Sequence, residues 1–146
     1  MIQRAHTIKL KPNNAQAILL SKTAGTARFA YNWGLAKWNE MYEHGERCSW
    51  MELSRLWTQT RPDWSRETYR GSQTTARRQL GGAFQAFFQG FRAHPKFQRK
   101  GQKDSFYVDS FHAKLRGNKV QFPSIGRVRM MEELRYSDCK IMSYTV

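Results

Sequence analysis

Cysteines, acidic residues and long apolar runs are all scarce in this sequence. Its 146 residues include only two cysteines, Cys48 and Cys139. This excludes a disulfide scaffold and a cysteine-rich zinc module, and it predicts a reducing, cytoplasmic location. No apolar run approaches the roughly 20 residues that a membrane-spanning helix needs, and the N-terminus lacks the apolar stretch of a signal peptide. We therefore expect no membrane partner.

The acids number 11 against 25 lysines and arginines, which gives a net charge of +14 and a pI near 10.3. Such a charge repels itself in a compact chain, and a polyanion is its commonest partner. A hydrophobic content of 40% is enough for a core, so the chain is not a disordered basic tail. Residues 66–103 alone hold nine cations and one acid. The sequence thus predicts a folded nucleic-acid-binding protein with its positive charge concentrated in one segment.

Hydrophobic periodicity predicts a strand, then a helical block, then several short strands. Residues Ile2 to Leu10 alternate as a half-buried strand does. Helical spacing follows and predicts three helices: Ala15–Tyr42, Trp50–Gln59 and Arg66–Phe91. Ser49 is available as the N-cap of the second of these helices. The polar, basic stretch from His94 to Asp104 is predicted to be a loop.

The C-terminal third predicts short strands, with a hairpin turn at Gly117-Asn118. These strands are Phe106–Val108, Lys114–Arg116, Lys119–Phe122, Gly126–Met130 and Cys139–Val146. A lone N-terminal strand is rarely stable unpaired. We therefore expect an α+β fold in which this strand joins the C-terminal strands in a small β-barrel, with the helices inserted. The final strand reaches Val146 without a polar tail, which suggests a piece of a longer protein.

No catalytic centre is evident in the sequence. A two-metal nuclease needs several converging carboxylates, and the only close acids are Glu132-Glu133 and the pair Asp104 and Asp109. The four histidines are scattered, and neither a P-loop nor a Gly-x-Ser-x-Gly motif occurs. We expect no metal site and no catalytic residue in this chain.

Five strings of residues occur in an order and at a spacing that resemble a known family. They are Gly25-x-x-Arg28-Phe29-x-Tyr31-Asn32-Trp33-x-Leu35; Pro62-x-Trp64; Leu80-x-x-Ala83-Phe84-x-x-Phe87-Phe88-x-Gly90; Pro95-x-Phe97-x-x-Lys100 with Asp104-Ser105-Phe106; and Gly117-Asn118-x-Val120-x-x-Pro123-x-Ile125-Gly126-x-Val128. Together they resemble the N-terminal part of TnpB, the OrfB-type "transposase" of insertion sequences, which is related to the type V CRISPR effectors. The resemblance covers nearly the whole chain.

The resemblance implies the nucleic-acid-binding N-terminal module of an RNA-guided DNA endonuclease from a bacterial or archaeal cytoplasm. Its OB-like wedge barrel (residues 1–12 and 105–146) would be interrupted by a helical recognition domain (13–104). Its partners would be guide RNA, the guide–target heteroduplex, the motif beside the target DNA, and the remaining nuclease portion. The family's RuvC carboxylates and zinc element, with their Mg and Zn, lie downstream. No cofactor and no cleavage activity are therefore expected in this chain.

The resemblance also implies motif-reading positions on the second helix and at the start of the third. In this sequence these are Trp50, Ser54, Arg70, and Gln73 or Thr74. Arginine can bind a guanine edge or a phosphate, glutamine can pair with adenine, and an aromatic ring can contact a thymine methyl. An exposed polar helix residue without function is the alternative for each.

The basic segment itself predicts contacts with phosphates. Arg70, Arg77 and Arg78 would face phosphates from one side of the third helix, and the loop would add Lys96, Arg99, Lys100 and Lys103. Such contacts position a nucleic acid without reading its sequence.

Two rival functions stay open from the sequence. The first is a truncated, transposase-derived protein that binds duplex DNA without a guide. The second is a small metal-independent nuclease that uses His94 or His112, although no acid–base pair is evident beside either histidine.

Overall fold

The computed structural model describes residues 2–136 and 139–146 of the chain. In chain order its elements are β1 (Leu10–Lys11), α1 (Asn14–Glu43), α2 (Trp50–Thr60), a 3-10 helix (Asp63–Glu67), α3 (Arg70–Phe88), β2 (Tyr107–Asp109), β3 (Lys114–Arg116), β4 (Lys119–Phe122), β5 (Gly126–Met130) and β6 (Ser143–Thr145). The mixture of helices and antiparallel strands confirms the α+β class.

The chain divides into two compact units. The helical unit runs from Lys22 to Phe106, and the sheet unit combines the described residues up to Ser21 with those from Tyr107 onward. The helix α1 begins in the sheet unit and continues through the helical unit.

The first helix buries one face, formed by residues spaced three or four apart. Ala27, Ala30, Gly34 and Trp38 are all buried on α1, and Gly25 does not interrupt the helix. The helix ends at Glu43, and two residues later Gly45 has a φ of +72°, which suits a residue without a side chain. There the Glu46 N–H donates to Met41 O over 2.9 Å, as in a Schellman motif.

The second and third helices pack on α1 around a core of leucines and aromatic rings. Leu35, Leu53 and Leu80 are buried, and a Cβ on Gly34 would lie 2.8 Å from Leu80 Cδ2. Only glycine permits this approach. The α2 N-terminus is capped as predicted, because Ser49 Oγ accepts the Glu52 N–H over 3.2 Å.

The third helix is shorter than its spacing predicts. It begins at Arg70, because residues 63–67 form a separate 3-10 helix and Thr68 is extended. It ends at Phe88, where Gly90 has a φ of +80° and the Phe91 N–H donates to Ala86 O. The prediction of a continuous helix from Arg66 to Phe91 was therefore wrong at both ends.

The sheet unit holds one four-stranded antiparallel sheet, in the order β1-β5-β4-β3, and a two-stranded sheet of β2 and β6. The predicted hairpin is confirmed, with Leu115 opposite Val120 and Gly117 at a φ of +55° in the turn. Val120, Phe122, Val128 and Met130 are buried on one face of the larger sheet.

The predicted strand from Ile2 to Leu10 was wrong in extent, since only Leu10 and Lys11 are in a strand. Their partners Met130 and Arg129 lie at the end of β5, so the residues before Leu10 have no strand opposite them. His6 is instead fixed by its side chain. Its Nε2 lies 3.3 Å from Glu132 Oε1, and its Nδ1 accepts the Arg135 N–H. The predicted final strand is likewise shorter, Ser143–Thr145.

Candidate nucleic-acid interface

Four arginines surround the start of α3 in the helical unit, and we call Arg61, Arg66, Arg70 and Arg77 the arginine cluster. Arg70 is the first residue of α3, and Arg77 lies two turns further on the same face. Arg61 follows the last residue of α2, and Arg66 belongs to the 3-10 helix. Within the part of the chain that the structure describes, none of the four forms an ion pair with an acid.

Arg77 is the buried member of the cluster, with 3% of its surface exposed. Its Nε donates to Ser54 Oγ over 3.2 Å, and its guanidinium carbon lies 5.2 Å from the centre of the Trp57 ring. This is a cation–π distance. Burial, and then the positive charges of Arg70 and Arg61, lower the pKa of Arg77 to about 10. The side chain is still protonated at neutral pH, so the protein holds a cation that an anion would stabilise.

The cluster also contains hydrogen-bond donors that find no acceptor among residues 2–136 and 139–146. They are the buried Nη1 of Arg77 and the buried Nε of Arg61. Leaving a buried donor unsatisfied destabilises a fold, by about 1–3 kcal/mol or more for charged groups. Burial, followed by the charges of Arg66 and Arg70, lowers the pKa of Arg61 as well. The exposed guanidinium groups of Arg66 and Arg70, whose charges act on these two arginines, are suited to binding an oxyanion such as phosphate.

The helix start adds to this electropositive site. The N-cap residue Tyr69 makes no side-chain capping bond to the first turn of α3. The N-terminus of a helix carries a partial positive charge and free N–H groups, which favour a phosphate. The arginine cluster and the helix dipole therefore both favour the binding of an anion at the start of α3.

Trp50 and Arg78 form a second pair of predicted residues. The Arg78 guanidinium carbon lies 5.2 Å from the centre of the Trp50 ring. Arg78 is exposed and Trp50 is half-buried. Trp50 packs against Gly81, where a Cβ would lie 2.9 Å from the Trp50 Cβ. One side of the ring is thus occupied by α3, and an exposed cation lies over the aromatic surface.

The structure differs from the sequence-based interpretation at Gln73. Its side chain is completely buried; Oε1 accepts the Trp57 Nε1–H over 3.1 Å, and Nε2 donates to Ser65 O and to Thr68 Oγ1. In this arrangement the amide joins the 3-10 helix, α2 and α3, and it offers no group to a nucleobase. Arg77, predicted to face phosphates from the helix surface, is buried as well.

The remaining predicted residues are accessible. Ser54 and Thr74 are half-buried, and the Thr74 hydroxyl donates to Arg70 O. Arg70 is exposed, and so are the four loop cations Lys96, Arg99, Lys100 and Lys103.

The basic loop from His94 to Asp104 is held by two residues of α1, Asn32 and Arg28. Asn32 donates from Nδ2 to Gln98 O over 2.9 Å and accepts the Gln98 N–H at Oδ1 over 2.8 Å. Arg28, one turn earlier, donates to Asp104 Oδ1 over 2.7 Å. The Gly101 N–H, and then Arg28, lower the pKa of Asp104. Asn32 and Arg28 therefore position the loop that carries the exposed cations. In the sequence, the only feature that could have indicated this role was a polar residue on a helix that faces the core.

The described residues contain no group of three His, Cys, Asp or Glu side chains that could hold a metal ion. An acid–imidazole pair does exist between Asp109 Oδ1 and His112 Nδ1, which are 2.7 Å apart, but the same carboxylate accepts the N–H groups of Phe111 and His112 and so stabilises a turn. Burial, and then Glu52, raise the pKa of the Cys48 thiol to about 11, which disfavours a nucleophilic thiolate.

Two comparisons with known proteins bear on these residues. Residues 1–47 match a family model of the OrfB/IS605 type that is described as a helix-turn-helix domain. The chain is also similar to "Putative RNA-guided DNA endonuclease InsQ" of Escherichia coli (strain K12), with 26% identity over 134 residues that cover 86% of this chain and 33% of that protein. The resemblance to the N-terminal region of TnpB is confirmed.

The TnpB-like match supports a nucleic-acid-binding, transposon-associated module. The chain spans about a third of the length of its curated relative. In the range matched by the helix-turn-helix model, α1 is one unbroken helix, and the next helix begins only at Trp50. Among the residues that the structure describes, no helix is both long and apolar enough to cross a membrane.

Proposed function

We propose that this chain is the nucleic-acid-binding N-terminal module of a TnpB-like, RNA-guided DNA endonuclease. In this proposal residues 13–104 form the recognition domain, and residues 1–12 and 105–146 form a wedge that closes into a barrel. The partners are guide RNA, target DNA and the remaining nuclease portion. The chemistry of cleavage, with its Mg and Zn, belongs to that remaining portion.

The arginine cluster is the observation that carries the proposal. Four guanidinium groups that have no acidic partner among the described residues, two of them with buried unsatisfied donors, are unfavourable in an isolated protein. A backbone phosphate bound by the exposed Arg66 and Arg70 would supply the negative charge that the cluster lacks. Trp50, Ser54 and Thr74 lie on α2 and α3, and in this proposal they contact bases of the same nucleic acid. The motif beside the target is read there in this proposal, while Gln73 and Arg77 support the surface from below.

The experiment measures binding of the 146-residue chain to a hairpin RNA, a single-stranded RNA and a DNA duplex by fluorescence anisotropy. The double variant Arg66→Gln/Arg70→Gln should weaken binding to nucleic acid about tenfold, equivalent to about 1.4 kcal/mol. The matched control is Lys37→Gln/Arg55→Gln, which removes the same charge from residues already paired with Glu40 and Glu52. The control should change the affinity less than twofold.

Two results would contradict the proposal. One is an absence of binding to every nucleic acid at low salt. The other is strong, sequence-dependent binding to duplex DNA that hairpin RNA does not compete for, which would instead favour a guide-independent DNA-binding protein.

A further inference from the structure

A cleft of about 350 Å³ lies in the helical unit, where α1 and α3 end and α2 begins. Its size is in the range of sites that bind small organic groups, and it contains no member of the arginine cluster. The cleft is lined by Trp38, Tyr42, Gly45, Glu46, Arg47, Cys48 and Phe88. It therefore combines aromatic ring surfaces with a few polar groups, as ligand-binding sites do.

A stack of aromatic rings reaches this cleft. The rings of Trp38 and Phe84 are nearly parallel, with centroids 4.2 Å apart, and the stacked rings of Phe84 and Phe88 have centroids 6.0 Å apart. Trp38 and Phe84 are buried, whereas Phe88 is 61% exposed and Tyr42 is 72% exposed. Exposed aromatic rings that line a concave site indicate a binding surface. A flat aromatic ligand would continue the stack beyond Phe88 and cover apolar surface that otherwise faces water.

Two exposed residues of opposite charge, Glu46 and Arg47, give the cleft its polar groups. Within residues 2–136 and 139–146, neither of them forms an ion pair. The Glu46 carboxylate only accepts hydrogen bonds, and the Arg47 guanidinium only donates them. Glu46 repels an anion, as do the C-terminal ends of α1 and α3, which carry a partial negative charge. The cleft therefore suits a neutral ring with N–H donors, bearing an anionic group that Arg47 binds.

A guanine nucleotide has this combination of features. Its base is flat and neutral, and its phosphate is an anion that a guanidinium binds well. The Watson–Crick edge of guanine presents two neighbouring donors, N1–H and N2–H, and a carboxylate can accept both. Adenine presents one donor and an acceptor at that edge, so a carboxylate discriminates against it. The edge is free only when the base is unpaired, and unpaired bases are bound by stacking on aromatic side chains.

We propose that this cleft binds an unpaired guanine of single-stranded DNA. The base stacks on Phe88, Glu46 accepts its N1–H and N2–H, and Arg47 contacts the adjoining phosphate. The inference rests on the proposed function for the source of the strand, because pairing of a guide RNA with one target strand leaves the other strand unpaired. Cys48 of the cleft is two residues from Trp50, or at most about 7 Å. The cleft is thus next to the surface where the proposed function places the motif beside the target.

The test uses the full chain with a forked DNA, a duplex that continues into an unpaired tail of thymidines with a single guanine. The guanine is placed in turn at each position of the tail, and adenine or thymine replaces it in the comparison forks. Fluorescence anisotropy measures the affinities. At its best position, the guanine fork should bind about tenfold more tightly than the thymine fork, because the larger base stacks better and presents two donors. It should bind about fivefold more tightly than the adenine fork.

Two variants test the roles of the cleft residues. Phe88→Ala removes the exposed ring and should reduce the advantage of guanine over thymine to about twofold or less. Its matched control is Phe111→Ala, which removes an 87% exposed ring of the sheet unit and should keep the full advantage. Glu46→Gln makes the chain more positive, so the thymine fork should bind at least as tightly as before. The preference for guanine over adenine should nevertheless be lost. Melting temperatures confirm that each variant is folded.

Equal affinities for the guanine and thymine forks would overturn the proposal. The proposed function would still stand if Arg66→Gln/Arg70→Gln weakened binding to both forks, whereas a natural chain that bound no nucleic acid would refute the proposed function itself. A guanine preference that persisted in Phe88→Ala or Glu46→Gln would exclude this cleft.

Other occupants of the cleft would give different results, each of which overturns the proposal. Tighter binding to an RNA fork of the same sequence would contradict the assignment to DNA. A dimer of the chain that dissociates in the Phe88→Ala variant, as measured by sedimentation, would show that a second copy fills the cleft.

Discussion

At the level of single residues, the buried amide of Gln73 connects three helical segments of the helical unit. Its amide oxygen and nitrogen join Trp57, Ser65 and Thr68, which belong to or flank three different helices. A buried polar network of this kind stabilises a fold only while every member has its partner. The indole N–H of Trp57, which is 2% exposed, would lose its acceptor if the amide were removed.

We predict that Gln73→Ala lowers the free energy of unfolding by about 2–3 kcal/mol, because it leaves buried donors and acceptors unsatisfied. Urea denaturation measures this change. The control Thr74→Ala alters the neighbouring half-buried residue and should cost no more than about 0.5 kcal/mol. A stable Gln73→Ala protein that fails to bind nucleic acid would show instead that the glutamine contacts the ligand.

The sequence predicted the accessible site residues better than the buried ones. Arg70 and Arg78 are exposed, as a polar position on an amphipathic helix indicates. Gln73 and Arg77 are buried against Trp57 and Ser54, which lie 16 and 23 residues earlier in the chain. Helical periodicity gives the face of a polar residue, but it does not show that another helix covers that face.

The loop of residues 94–104 is attached to α1 by specific side-chain hydrogen bonds. Two hydrogen bonds from Asn32 fix its backbone at Gln98, and Arg28 fixes its end at Asp104. Gly101 and Lys103 adopt positive φ angles of +83° and +54° between these points. The backbone that carries the exposed cations is therefore already positioned before a ligand binds. As a result, less conformational entropy is lost when these cations bind phosphates.

We predict that Asn32→Ala releases this loop. Two hydrogen bonds are lost, so local opening becomes easier by about 1–2 kcal/mol. Trypsin should then cleave after Arg99 or Lys100 roughly tenfold faster, since proteolysis follows the population of the open form. Asn39→Ala, on the same helix, is the control and should leave the cleavage rate unchanged. An equal rate in both variants would mean that Asn32 does not hold the loop.

Among the elements, local turn chemistry was the most reliable sequence signal. The β3–β4 hairpin has the predicted bounds because Gly117-Asn118 specifies its turn. The alternation of Ile2 to Leu10 predicted a longer strand than the structure has. A strand also needs a neighbouring strand to pair with, and β5 pairs only with Leu10 and Lys11 of this segment.

Across the whole molecule, the net charge of +14 is not neutralised by the protein's own acids. Several acids pair with cations outside the arginine cluster, as Glu40 does with Lys37 and Asp104 does with Arg28. The arginine cluster keeps its positive charge free within the described residues. Composition alone predicted a polyanionic partner, but it did not show where that partner binds.

The most direct test of this account is the salt dependence of binding between the 146-residue chain and a structured RNA. We predict that the logarithm of the association constant falls with the logarithm of salt concentration with a slope of about −4 or steeper, because each contacted phosphate contributes about −0.7 to −0.9. A slope shallower than about −1, or no binding in dilute buffer, would show that the unpaired cations do not engage phosphates and would contradict the account.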